Sequence, residues 1–270
     1  MPFTGSHPAA VLPLMRWTRG RVALVPAALV IGSMAPDIPY YVPSPFGSGL
    51  THEAVAGVLG ADVVLGLAVF AVWQALLAPA AVLLAPAAVR RRLHPDAGSG
   101  LRRYLRPAAL GMTVVSLVVG AATHVLWDGF THDGHWGSEH VPWLAQVHGR
   151  YSGAEWAQVV CSALGLVVLV VDLVLRWRRA APAPVEPAAA RGRRLPGLRL
   201  RAVAAGAVLG AALTGAAHDG VAALLAGGGG HSLTWHVLTG GGSAGVAAAL
   251  AVAAATLLLS SRRPAPSAVR

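Results

Sequence analysis

The chain predicts an all-α fold: a polytopic membrane helix bundle of about six spans, with a short hairpin at its N-terminal end. Three observations carry that expectation. The first is composition: 55% of the 270 residues are hydrophobic and 12% charged, with a mean hydropathy of +0.60, whereas a soluble domain carries about 25% charge. The second is that the apolar residues gather into runs of membrane-spanning length, roughly 17 to 25 residues. The third is that the arginines are grouped between those runs. An alanine-rich soluble protein would share the composition but not the segmentation.

The predicted spans are about 22–36, 56–77, 108–127, 157–175, 202–226 and 243–260. The first is short for a full crossing. The second is followed by Ala78 to Val89, an apolar stretch broken by Pro79 and Pro86, which can tilt, kink or lie at the interface. Basic clusters stand at Arg16, Arg19 and Arg21, at Arg90 to Arg106, at Arg176 to Arg201, and at Arg262 and Arg263. Six spans put all four clusters on the cytoplasmic side, together with both termini, as expected of a bacterial plasma-membrane protein. The lengths divide the chain into a four-span region, 1–179, an Ala/Pro/Arg-rich cytoplasmic linker, 180–198, read as mobile, a two-span region, 199–263, and a flexible tail, 264–270. Trp127, Trp136, Trp143 and Trp156 fall near the outer interface, where amphipathic rings are well accommodated.

Several function classes drop out. The net charge of +10 could suggest nucleic acid, but arginines grouped between spans fit the positive-inside pattern better, so no nucleic-acid partner is expected. Cys161 is the single cysteine and lies in an apolar run, which excludes disulfides and a cysteine-rich zinc site. No cleavable signal peptide, nucleophile triad, Walker A or dinucleotide fingerprint is visible.

The richest segment is Thr123 to Asp133, which carries His124, Asp128 and His132 at intervals of four. A helix brings that spacing to one side. In an apolar surround such groups are costly unless paired or bound to a metal. The predicted topology places Asp37, His52, Glu53 and the segment after span three on the same outer side. A divalent metal, zinc first, with iron or manganese as alternatives, is the simplest reason to gather them. The candidate ligands are His124, Asp128 and His52, then His132 and Asp37, with Thr123 and Thr131 supporting them. Asp128, Asp37 or Glu53 would accept the proton in a hydrolase. His7 joins if residues 7–15 run down to the arginines and the short first span returns, a hairpin that brings His7 toward Asp37. A hydrogen-bonded cluster without metal, and an ion or proton path, are the competing readings. Asp62, deeper in span two, is expected in a structural pair or else a proton relay. His231 and His236 are expected in a Gly-flanked outer loop.

The start Met1-Pro2-Phe3-Thr4-Gly5-Ser6-His7, the Gly32-Ser33-Met34-Ala35-Pro36-Asp37 turn, Thr51-His52 and Thr123-His124 through Thr131-His132 together resemble the DUF4184 family of bacterial integral membrane proteins. They also faintly resemble inner-membrane proteins labelled metal-dependent hydrolases. That second resemblance implies that His7, Asp37, His52, His124 and Asp128 form one site, although Asp37 is followed by Ile38 and Pro39 rather than a second Asp. The function it implies is hydrolysis, at the outer face, of a lipid-linked or membrane-embedded substrate, with the bilayer itself as partner. A transporter or ion-translocating protein, or a metal-stabilised structural protein, is the alternative.

Overall fold

The computed structural model describes residues 4–17, 23–183 and 185–260. Arg19, Arg21, Arg262, Arg263 and the tail 264–270 lie outside the described residues, as do the side chains of Arg16 and His231. Among the described residues the chain is helical almost throughout, and its strands are one hairpin, Val147–His148 with Tyr151–Ser152. Five helices among these residues are long and apolar enough to cross a membrane. We label α1 Pro8–Val11, α2 Pro26–Gly32, α3 Gly57–Leu84, α4 Pro107–Thr131, α5 Trp136–His140, α6 Pro142–Ala145, α7 Gly153–Arg179, α8 Leu198–Leu225 and α9 Gly230–Leu259.

The predicted first span is therefore corrected. Instead of a crossing over 22–36, the chain forms the seven-residue α2, which Pro26 opens. It then enters a 3₁₀ turn over Ala35–Tyr40 that contains Pro36 and Pro39. Proline removes the amide hydrogens a continuing α-helix would need. Five long helices and one short helical hairpin replace six spans. Of the stretch after Leu77, Ala78–Leu84 continue α3 through Pro79, and the helix stops before Pro86. Two π-helical segments interrupt α3, at Gly57–Ala61 and Trp73–Leu77.

The chain divides into two compact units, residues 1–70 with 104–179, and 71–103 with 180–270. The divisions between them fall within α3 at 70/71, at 103/104 and at 179/180. In the first unit, α2 packs on the middle of α4 at very short range. A Cβ on Gly120 would lie 2.7 Å from the Ser33 amide nitrogen and closer still to the Leu29 carbonyl, and one on Gly32 would strike the Leu117 backbone. Only glycine on both faces lets the backbones meet, the packing that substitutes for hydrophobic driving force in lipid. Leu29 and Leu117 are fully buried there, and the Val25 amide donates to the Ser116 hydroxyl at 2.9 Å. The other limb of the hairpin follows α7: Ser6 backs onto Gly165, and Met15 meets the Arg176 guanidinium. Residues 4–7 thus lie in the half of this unit opposite the arginine-bearing ends of α4 and α7, where the hairpin reading puts His7.

The second unit corrects two expectations. The segment 180–198 is packed rather than mobile. Ala189 and Ala190 are buried against Val82 and Leu83, Glu186 holds the buried Arg90 through two hydrogen bonds, and the amides of Ala183 and Ala188 bond to Arg91 and Pro95 carbonyls. The outer loop carrying His231 and His236 is instead the first two turns of α9. Gly240, Gly241 and Gly245 are helical because they face Gly215, Ala212 and Ala216 of α8 at close range, and tertiary packing overrides their low helix propensity. The many exposed valines and leucines of α7, α8 and α9 need no protein cover where lipid is the solvent.

Two outcomes follow. Gly120→Leu should cost about 2 kcal/mol or more of stability, as overpacking against rigid backbone does. Gly111→Leu on the same helix, which meets open space, should be tolerated; thermal unfolding in detergent compares them. In hydrogen exchange the amides of Ala183 and Ala188 should exchange slowly, and Glu186→Ala should speed them.

Candidate metal centre

The site lies where the short hairpin, the turn before α3 and the C-terminal half of α4 meet. His124 is 18 residues beyond Arg106, about 27 Å by helical rise, which is close to the full hydrocarbon thickness from the arginine end. It is completely buried. Asp128, one turn on, is 3% exposed and lies on the same face. The α2–α4 contact that Gly32 and Gly120 permit sets the Ser33 carbonyl 2.8 Å from His124 Nδ1. That nitrogen donates its hydrogen there, so Nε2 carries the lone pair and points inward.

His52 is built the same way from another element. It caps the single turn Ser48–Thr51, and its Nδ1 donates to the Ser48 carbonyl at 2.8 Å. Its Nε2 is 3.5 Å from Asp37 Oδ1 and 3.6 Å from Asp128 Oδ2. The buried Thr51 hydroxyl donates to the Pro36 carbonyl at 2.7 Å, tying this turn to the one that carries Asp37. Asp37 Oδ2 accepts the Thr4 hydroxyl at 2.5 Å, which leaves Oδ1 facing His124 Nε2 at 3.5 Å. His7 stacks on His124 with ring centroids 3.8 Å apart, and its Nε2 is 3.7 Å from Asp128 Oδ1. Asp128 Oδ2 is 3.3 Å from His124 Nε2.

Electrostatics and hydrogen bonding point the same way. Burial works against ionising Asp37, yet the facing His124 and His52 and the Thr4 hydroxyl hold its carboxyl well below the usual range. Burial lowers the His52 imidazole, but Asp37 and the Ser48 carbonyl outweigh it and raise it. Nevertheless both nitrogens of His7, His124 Nε2, Asp37 Oδ1 and Asp128 Oδ1 are buried without a hydrogen-bond partner. Each such orphan costs about 1–3 kcal/mol, and more when charged. A cation at their centre would satisfy four of the five atoms at once. The separations of 3.3 to 3.7 Å between facing ligand atoms are near the roughly 3.4 Å edge of a tetrahedron with bonds of 2.0–2.1 Å. Two groups meet the ligand-distance condition among the described residues: His7 with Asp37 and His124, and His52 with His124 and Asp128.

The predicted site residues divide accordingly. His7, Asp37, His52, His124 and Asp128 come together. His132 stands at the rim: it follows the last residue of α4 in extended conformation, its Nδ1 bonds the Asp128 carbonyl at 3.3 Å, and its Nε2 lies 3.4 Å from the Gln158 amide. Glu53 is exposed and does not join the cluster. Thr123 and Thr131 are not supports, because their hydroxyls donate to the carbonyls of Gly120 and Trp127 in their own helix. Thr4, Ser33 and Ser48 do the supporting. Of these only Thr4 had a visible signal, three residues before His7. Asp62 is corrected too: it is buried, and neither oxygen has a hydrogen-bond partner, so no structural pair holds it.

The comparisons with known proteins agree with the resemblance read from the motifs. No curated protein and no solved structure matches the chain. The family described as Domain of unknown function (DUF4184) matches residues 1–254. That match covers nearly the whole chain, hairpin, site and later helices alike, and the protein belongs to the DUF4184 family.

Proposed function

We propose that this protein is a metal-dependent hydrolase of the bacterial plasma membrane, acting on a lipid-linked phosphoryl or ester substrate in the outer half of the bilayer. The observation that carries the reading is the convergence of buried, unpartnered imidazole and carboxylate atoms from three separate parts of the chain. His7, His52, His124, Asp37 and Asp128 would hold a divalent ion, zinc being the first choice for a nitrogen-rich set. Two carboxylates and three neutral imidazoles would balance its charge, which favours the complex in a low dielectric. Such an ion would acidify a bound water and polarise the substrate oxygen.

The remaining steps fall to the protein. His52 is the most accessible of the five, its side chain 16% exposed, so the substrate head group reaches the centre past it. Thr4 and the Ser33 and Ser48 carbonyls orient Asp37, His124 and His52 and fix their tautomers. Asp128 accepts the proton from the attacking water. His132, its Nδ1 3.7 Å from that carboxylate and its side chain 21% exposed, borders the carboxylate on the open side. The arginine-bearing ends of α4 and α7, with the chain's C-terminal end, face the cytoplasm under the positive-inside rule.

Asp62 favours a second reading. A buried, unpartnered carboxylate in a membrane helix is typical of a proton or ion path. Asp62→Asn separates the two: a hydrolase keeps turnover of its lipid substrate in detergent, whereas an ion pathway loses flux in vesicles.

Protein purified without chelator should carry stoichiometric divalent metal by elemental mass spectrometry. His124→Ala and Asp128→Asn should lose it at matched folding quality, and His218→Ala should retain it. No metal in the wild type would sink the reading. Thr4→Val should fold normally and weaken metal affinity about 10- to 100-fold, the usual cost of removing such a support. A panel of lipid-linked phosphate and ester substrates then tests turnover, which should vanish in the two ligand variants.

A further inference from the structure

We infer that the cleft beside the candidate metal centre is a binding site for the hydrocarbon chain of a bilayer lipid; as the substrate's tail site, it rests on the hydrolase reading above. The cleft holds about 500 Å³ and is lined by Ala10, Thr123, Trp127, Thr131, Ala157 and Cys161, among others. That volume lies in the range of small-molecule sites. Its walls lie on α1, α4 and α7, and the last two cross the membrane. The medium beside this cleft is therefore lipid, not water.

Its chemistry selects the occupant. Thr123 and Thr131 would be the obvious polar groups, but both hydroxyls are turned back onto their own helix carbonyls, at 2.7 and 3.2 Å. They leave methyl groups for the cleft, so the wall carries almost no polar surface for a head group to bond. Ala157 and Cys161, one turn apart on α7, make the hollow by being small. Position supplies the link to chemistry. Thr123 and Thr131 precede His124 and His132, and Ala10 is one turn beyond His7. A chain seated here brings its lipid's head group to the level of the buried carboxylates.

The test uses full-length protein in phosphatidylethanolamine and phosphatidylglycerol vesicles, doped with a phosphatidylglycerol bearing a mid-chain diazirine. After illumination, peptide mass spectrometry locates the adducts. Expected are adducts on 123–131 and 157–161 several-fold above those on Leu209 and Leu213, which are openly exposed on α8. Ala157→Phe and Cys161→Phe should reduce the cleft adducts to that background while metal content stays at the wild-type level. Uniform labelling of all apolar helix faces, or cleft labelling unchanged by both fillings, would overturn the tail site whatever the metal content. Selective cleft labelling in protein that binds no metal would uphold the tail site and defeat the hydrolase reading alone.

Discussion

The arrangement of the first unit depends on enclosing two carboxylates and three imidazoles in its interior, among helices long and apolar enough to cross a membrane. No single helix can do this, because a helix offers only one face and about one ligand per turn. α4 contributes His124 and Asp128; the others must arrive from segments that are not spans. The short hairpin brings His7, the proline-rich 3₁₀ turn brings Asp37, and the turn before α3 brings His52. Non-helical backbone at such depth is tolerated only when protein covers it. The glycine contact between α2 and α4 is how that cover is achieved, and it also aims the Ser33 carbonyl at His124.

The same constraint explains why polar supports are drawn from backbone as much as from side chains. A histidine whose Nδ1 is held by a carbonyl has its Nε2 lone pair committed in one direction. Two of the three imidazoles are held this way. His7 is the exception, held by stacking on His124 instead. That difference makes it the imidazole whose place depends most on the hairpin's seating.

Much of this was legible in the residues. Hydropathy and arginine grouping show the long helices, since a bilayer imposes a length that composition must satisfy. The four-residue spacing of His124 and Asp128 shows their shared face. Less legible were features that depend on which backbones touch. Gly240 to Gly242 read as one flank of the loop carrying His231 and His236, because the benefit of glycine in a helix appears only once α8 lies opposite. The segment 180–198 read as mobile, because the Glu186 partner, Arg90, is 96 residues away. Thr123 and Thr131 read as supports because adjacency in sequence suggested it, while the actual support, Thr4, is 33 residues from Asp37. Asp62 read as half of a pair, and the structure leaves it without one.

The hairpin has a consequence for the order in which the molecule assembles. Residues 4–40 are synthesised before α4 and α7, yet those later helices supply the glycine and Ser116 contacts that cover them. Neither limb can settle into lipid alone, since its unsatisfied backbone would face hydrocarbon. The contact between His7 and Asp128 spans 121 residues of chain. The member of the cluster that comes first in the sequence thus takes its place against helices that come later.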